Sequence, residues 1–334
     1  MTREPADVFG VPTWHAESQA LVYTAQRNPP STGVDKFTYT PDWGEKFDGV
    51  RGTALYLLTL PGSIWSRCEN NMAVHALTDG TDFPQASFGQ PVLAGTSASP
   101  TVFATKYSPA GDERKLGIVY CANRPATICE LKCRLTTSEG MQSWKAESTS
   151  PLSPEDRSAR SPRLIVGTPN ILLYISNRLG GTHSSCASLH TYDLDTGKST
   201  VLVEEVKQPK RPFIDFPGLY IDQLPQKLSV TAPEPSIVCS SLWRSRKVPL
   251  RISLKTGAIK SLLTWPDPTE VCRFPRWFPV QSSCTSLPGS YFTIHFSSSR
   301  STGEYQHTLH RRQRSCHRRS KWCHVTPDIV SQAR

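Results

Sequence analysis

Ten cysteines and nine histidines are the residues here whose types could carry chemistry, as nucleophile and base or as metal ligands. Cys316-His317 and Cys323-His324, with His310 upstream, offer the donor atoms zinc prefers. Their Cys-x6-Cys separation matches no standard zinc pattern, so no metal is expected. Cys129 and Cys133 fall on one face of a period-two segment, about 13 Å apart at the usual strand rise. That is too far for a shared ion or a disulfide, and they read as small core residues. His183 and Cys186 share a loop, but a nucleophile–base pair is defined by geometry, not by nearness in sequence. His15, His75, His183 and His190 stand without a motif-marked nucleophile or carboxylate and read as loop and core residues. A serine nucleophile of the elbow type needs Gly-x-Ser-x-Gly on a strained strand-to-helix turn. The nearest approach, Gly95-Thr96-Ser97-Ala98-Ser99, lacks the second glycine and precedes a strand. The expectation is no catalytic residue, no cofactor-binding residue, no cofactor and no metal.

Charge is the other feature with chemical meaning. The net charge is +10, but eight Lys/Arg against two acids between Arg300 and Arg334 account for +6 of it. Those arginines could grip phosphates, with Trp322 available to stack on a base. A short charge run at a terminus is more simply a solvated, disordered end, so nucleic acid is not an expected partner. No 18-residue apolar run exists, and no membrane partner is expected. The start, MTREPADVFGVP, has no apolar segment of the export type. Scattered cysteines without that segment read as reduced thiols, which places the chain in the cytoplasm.

The elements that must position these residues are strands. Pro 28 and Gly 20 against Met 3, with many short Val/Ile/Leu/Tyr runs, favour short strands between turns. Ile171–Ser176, Ser188–Leu194 and Ser199–Val203 read as three strands, the last two flanking the turn Asp195-Thr196-Gly197. The layout returns over Ile237–Leu263, where IVCSSLW leads through RSRKVP to LRISL, a Lys255-Thr256-Gly257 turn and AIKSLLT. Earlier, Leu21-Val22-Tyr23 follows Trp14, Thr53–Leu60 closes on a Pro61-Gly62 turn, and Ile64–Leu77 is a poorly patterned return arm. A second unit opens at Gly89-Gln90-Pro91, with strands expected at Thr101–Lys106, Leu116–Tyr120 and Ala126–Arg134. A third enters through Ser158–Arg163, and a fourth through FPGLYIDQLPQKLSVTAPEPSIV.

Leading strands at Val22, Val102, Leu172 and Ile237 are separated by 80, 70 and 65 residues. Those intervals exceed the roughly 40–50 residues of common propeller repeats, so each unit carries long loops. Four-stranded units that need their neighbours to cover both faces are the blades of a β-propeller. The predicted fold is all-β, a partial β-propeller of about four blades of four-stranded antiparallel sheet. It spans residues 8–265. Residues 266–306 hold one possible strand at Tyr291–Phe296, and 307–334 form a basic disordered tail.

Tyr39–Glu45 (YTPDWGE), Lys115–Leu131 (KLGIVYCANRPATICEL), Ser161-Pro162-Arg163-Leu164 and Leu189–Val203 (LHTYDLDTGKSTVLV) occur in this order between Val8 and Thr264. Together they resemble the N-terminal propeller region of acylaminoacyl-peptidase (acylamino-acid-releasing enzyme), of the prolyl oligopeptidase family. The resemblance implies enzymes that remove an N-acylated amino acid from the end of a short peptide. It implies a Ser–Asp–His triad in a C-terminal α/β-hydrolase domain, over which the propeller sits as a size filter. No alternating βα pattern follows residue 265 to build that domain, so none of the triad is carried over.

The resemblance therefore implies a non-catalytic propeller portion that gates a hydrolase domain absent from this chain. Its expected partner is that domain or a full-length subunit, and acylated peptides are met only indirectly. Because the likeness starts part-way into the family's propeller, about half a ring is expected, with open strand edges. That points to a truncated or mis-assembled product, a ring-completing dimer being the alternative. The rival readings are a stand-alone scaffold for protein or peptide binding and, below it, nucleic-acid binding through the basic tail.

Overall fold

A turn over residues 17–19, with Gln19 at a left-handed φ of 51°, folds Thr13–His15 (β1) back onto Ala20–Gln26 (β2). Thr53–Thr59 (β3) lies antiparallel to β2, with Tyr23 stacked on Tyr56 at 5.5 Å, and Ala73–Ala76 (β4) closes the sheet. The computed structural model describes residues 9–15, 17–26, 42–43, 52–66, 71–79, 83, 86–96, 99–111, 114–118, 121–165, 168–211, 215–226, 228, 234–243 and 246–263. All of them fall in the first of two units, Met1–Pro268, the second being Thr269–Arg334. The expected strand at Tyr291–Phe296, the Cys/His cluster of the tail and Trp322 lie outside the described residues.

Three more meanders follow. Ser87–Thr96 (β5), Ser99–Tyr107 (β6), Ala126–Ser138 (β7) and Met141–Pro151 (β8) pair as successive antiparallel neighbours. Arg157–Ile165 (β9), Thr168–Arg178 (β10), Ser188–Asp193 (β11) and Lys198–Val203 (β12) do the same. Ser236–Trp243 (β13), Arg246–Ser253 (β14) and Ile259–Ser261 (β15) form the last. One parallel pair, Ala126 with Ser158, joins the second and third meanders into an eight-stranded sheet. Apart from the helical Phe9, every regular element among the described residues is thus a strand, and the sheets are antiparallel meanders of mostly four strands.

The second and third meanders carry apolar residues on both faces, one face toward each neighbour, so they must be packed on both sides. Val22, Leu55 and Leu57 of the first meander share a core with Val102, Leu131 and Trp144 of the second. Trp144 crosses that boundary and donates from Nε1 to the carbonyl of Trp65 at 3.0 Å. Phe103 and Ile128 of the second meet Leu172 and Tyr174 of the third. Leu173, Ile175 and Leu189 of the third meet Ile237, Val248 and Leu250 of the fourth.

Several sequence expectations are corrected. Gly89-Gln90-Pro91, read as an entrance, lies inside β5 at an irregularity where Gln90 takes a φ of 52°. A bulge accommodates both a glycine and a proline within a strand, which hid the strand from its pattern. Leu116–Ile118, expected within a strand, is irregular, while residues 119–120 lie outside the described set. The strands β8 and β9 carry no clear apolar alternation: β8 is mostly polar, and Ser158–Arg163, the expected entrance to the third unit, is itself most of β9. In the first unit, Ile64 and Trp65 form a turn and the return arm is only Ala73–Ala76. The strand β14 starts at Arg246 rather than Leu250, running through Pro249. Pro249 accepts from the Leu262 amide at 3.0 Å, so its missing N–H faces away from β13 and breaks no bond to it.

Candidate functional site

The loop entering β7 and the loop leaving β10 are zipped together by backbone and amide bonds. Gly180, at a φ of 65°, turns the chain after β10. Its amide donates to the Asn123 carbonyl at 3.3 Å, the Ala122 amide donates to the His183 carbonyl at 3.3 Å, and the Asn123 side-chain amide donates to the Gly181 carbonyl. The result sets Cys121 Sγ 3.2 Å from His183 Nδ1. The Arg124 guanidinium, held by the Gly117 carbonyl at 3.3 Å through Nε, places Nη2 3.9 Å from the same sulfur. Cys121 is half-buried and His183 exposed, so the pair faces solvent. Thiol, imidazole and guanidinium in that order can move a proton off sulfur and hold the charge left behind.

His183 therefore meets a cysteine 62 positions away and not Cys186, its loop neighbour. Cys186 is turned inward, accepts from the Val206 amide at 3.4 Å and packs against Gly218, and burial pushes its thiol up. The remaining described cysteines are core residues, as their positions in the alternating pattern imply. Cys129 and Cys133 are buried, and that burial pushes both thiols up to about 12; Cys239 is pushed up to about 11. Among the described residues no three His, Cys, Asp or Glu side chains converge to hold a metal.

A serine–histidine couple also exists, and its burial decides what it can do. Ser176 Oγ lies 2.8 Å from His190 Nε2, with Arg157 Nε donating to the same hydroxyl at 2.7 Å. Ser176 is 0% and His190 5% exposed. No substrate can reach that hydroxyl, so the couple serves the core. His75 is likewise buried between Thr59 (3.2 Å) and Ser143 (3.3 Å), and burial lowers its pKa. His15 caps its own turn through Ser18 at 2.8 Å. Gly95 and Ser99 belong to the hairpin between β5 and β6, so no strand-to-helix turn stands there; Ser97 lies outside the described residues.

The residues of the Ser161–Leu164 stretch have a role that sequence reasoning missed. Arg160 donates to the Asp222 and Ile221 carbonyls (2.6 and 2.9 Å) and to Asn177 Oδ1 (2.6 Å). Arg163 donates to the Pro225 and Leu224 carbonyls (2.9 and 3.1 Å), while the Leu224 amide donates to Ser161 Oγ at 2.8 Å. Burial lowers both guanidinium groups to about 10, which leaves them charged at neutral pH. They pin the segment 221–225 to β9, and only its Leu-Pro punctuation hints at this in the sequence. Trp43, from the DWGE stretch, packs edge-on against Phe9 (5.3 Å) and Tyr107 (5.6 Å).

Residues 26–268 match the family described as "Acylamino-acid-releasing enzyme, N-terminal domain". The chain is 28% identical over 253 residues to the acylamino-acid-releasing enzyme of Arabidopsis thaliana, an overlap of 72% of this chain and 31% of that protein. It is 28% identical over 236 residues to acylamino-acid-releasing enzyme 1 of Oryza sativa subsp. japonica, covering 64% of this chain and 28% of the relative. The chain thus spans less than a third of the curated relatives it matches. Among solved structures, a Mycobacterium tuberculosis puromycin-hydrolyzing peptidase superposes over 75% of this chain and 37% of its own, with 10% identity and a TM-score of 0.29. Because that match takes in more than half of this chain, the chain belongs to the acylamino-acid-releasing enzyme N-terminal domain family.

Proposed function

We propose that the chain is the non-catalytic, propeller-type portion of an acylamino-acid-releasing enzyme, whose work is to restrict access to a hydrolase domain. The observation that carries this reading is the face-to-face packing of four successive antiparallel meanders, each covered by the next. That is how propeller blades bury surfaces a single unit leaves open. In this reading the four meanders are four blades, and the hydrolase domain or a full-length subunit is the partner. Acylated peptides meet this chain on their way to chemistry done elsewhere. The described cysteines are all free thiols, in keeping with a cytoplasmic setting. No helix among the described residues is long and apolar enough to cross a membrane.

The test uses the purified chain with an acetyl-alanine chromogenic amide, alongside a fluorophosphonate probe for activated serines. No turnover and no labelling are expected. Mixed with an isolated hydrolase domain of the family, the chain should slow hydrolysis of long acyl-peptides more than short ones. Turnover by the chain alone, with a labelled serine, would overturn the non-catalytic reading. Equal effects on long and short peptides would overturn the gating role.

A further inference from the structure

The Cys121–His183–Arg124 cluster is not needed by a scaffold, and its geometry is that of a reactive thiol. Packing does not account for it: His183 is exposed, and Cys121 belongs to no core cluster. A hydrogen-bonded base lies at 3.2 Å and a guanidinium at 3.9 Å from one sulfur. The other described cysteines, by contrast, are sealed in the core.

We propose that Cys121 is a site of reversible S-thiolation, exchanging with a low-molecular-weight disulfide of the glutathione type with His183 as the base. The Cys121 proton passes to His183 Nδ1 as the sulfur attacks one sulfur of the disulfide. A new S–S bond forms to Cys121 while the disulfide's own S–S bond breaks. The leaving thiolate takes up the proton carried by the imidazole. Cys121 is oxidised to the mixed disulfide and the departing half is reduced to a thiol; excess thiol reverses the step. Arg124 stabilises the negative charge on sulfur during attack. The two loops that carry the pair are tied to β7 and β10, so an adduct there strains the zipper between the second and third meanders.

The test incubates the reduced full-length chain with oxidised glutathione at pH 7, quenches at intervals, alkylates the remaining thiols and maps each cysteine by mass spectrometry. Cys121 should form the adduct at least about tenfold faster than Cys129, Cys133, Cys186 and Cys239. His183→Ala should slow the Cys121 rate about tenfold, and added imidazole should restore it in the variant while barely changing the wild type. Reaction at Cys121 no faster than at the buried thiols overturns the proposal without any variant. A His183→Ala rate within about twofold of wild type, or no rescue by imidazole, overturns the role given to the base.

Discussion

Replacing His190 by Phe should remove much of the fold's sensitivity to acid. His190 sits on β11 opposite Tyr174 of β10, with the two rings parallel at 4.7 Å. Burial first, and then the Arg157 charge, hold the imidazole down to about 4. In the unfolded chain the ring titrates near 6.5. Between these values the unfolded state binds the extra proton, so stability is fully present above about 6.5 and falls as the pH drops towards 4. The gap is worth on the order of 3 kcal/mol, about 2 of which is lost between pH 7.5 and pH 5. His190→Phe keeps the stack but gives up the bond to Ser176, which retains its bond from Arg157. The variant should be about 1 kcal/mol less stable at pH 7.5. Its loss on going to pH 5 should be smaller than that of wild type by about 2 kcal/mol. Urea unfolding followed by tryptophan fluorescence at both pH values measures this, and His75 is common to both chains and cancels. Equal losses in the two proteins would refute the reasoning.

Arg163→Met leaves the Leu224 and Pro225 carbonyls without their donor. It should reduce stability by about 3 kcal/mol. Limited proteolysis, read by mass spectrometry, should show new cleavage within 219–228 before global unfolding. Gly218→Ala puts a Cβ 2.2 Å from Cys186 Sγ at a backbone φ of +113°. It should reduce stability by about 2–4 kcal/mol in thermal unfolding. Adding Cys186→Ala should recover about 1–2 kcal/mol of that, because the double change removes the clash but not the backbone strain.

The parts of the fold that could be read in the sequence are those whose local chemistry suffices. The hairpin from β11 to β12 was legible because Gly197, at a φ of 69°, occupies the position its turn demands and apolar alternation flanks it. The faces of Cys129 and Cys133 were legible from period two alone. The strand β9 was not, because its residues SPR read as polar punctuation; their polarity is consumed by carbonyls more than sixty positions downstream. The Cys121–His183 pair was hidden for the same reason. Each residue looks ordinary in its own segment, and only the zipper between two loops brings them together. A local pattern carries no record of a partner that arrives from another meander.

That failure has a physical logic which bears on the assignment of function. Of the segments that carry the family resemblance, DWGE supplies Trp43, which packs against Phe9 and Tyr107. The segment KLGIVYCANRPATICEL supplies Asn123, which ties the β7 entrance to the loop after β10. The stretch SPRL supplies Arg163 and Ser161, which fasten 224–225 to β9 and reach back through the Ser161 amide to Gln90 of β5 at 2.7 Å. Each of these side chains therefore works across a boundary between one stretch of the fold and another. Such residues fix how neighbouring meanders meet, and the proposed gating role would depend on that geometry more than on any nucleophile. Cys121 and His183 lie on one of these same boundaries. A thiol adduct there would act on the joint between the second and third meanders.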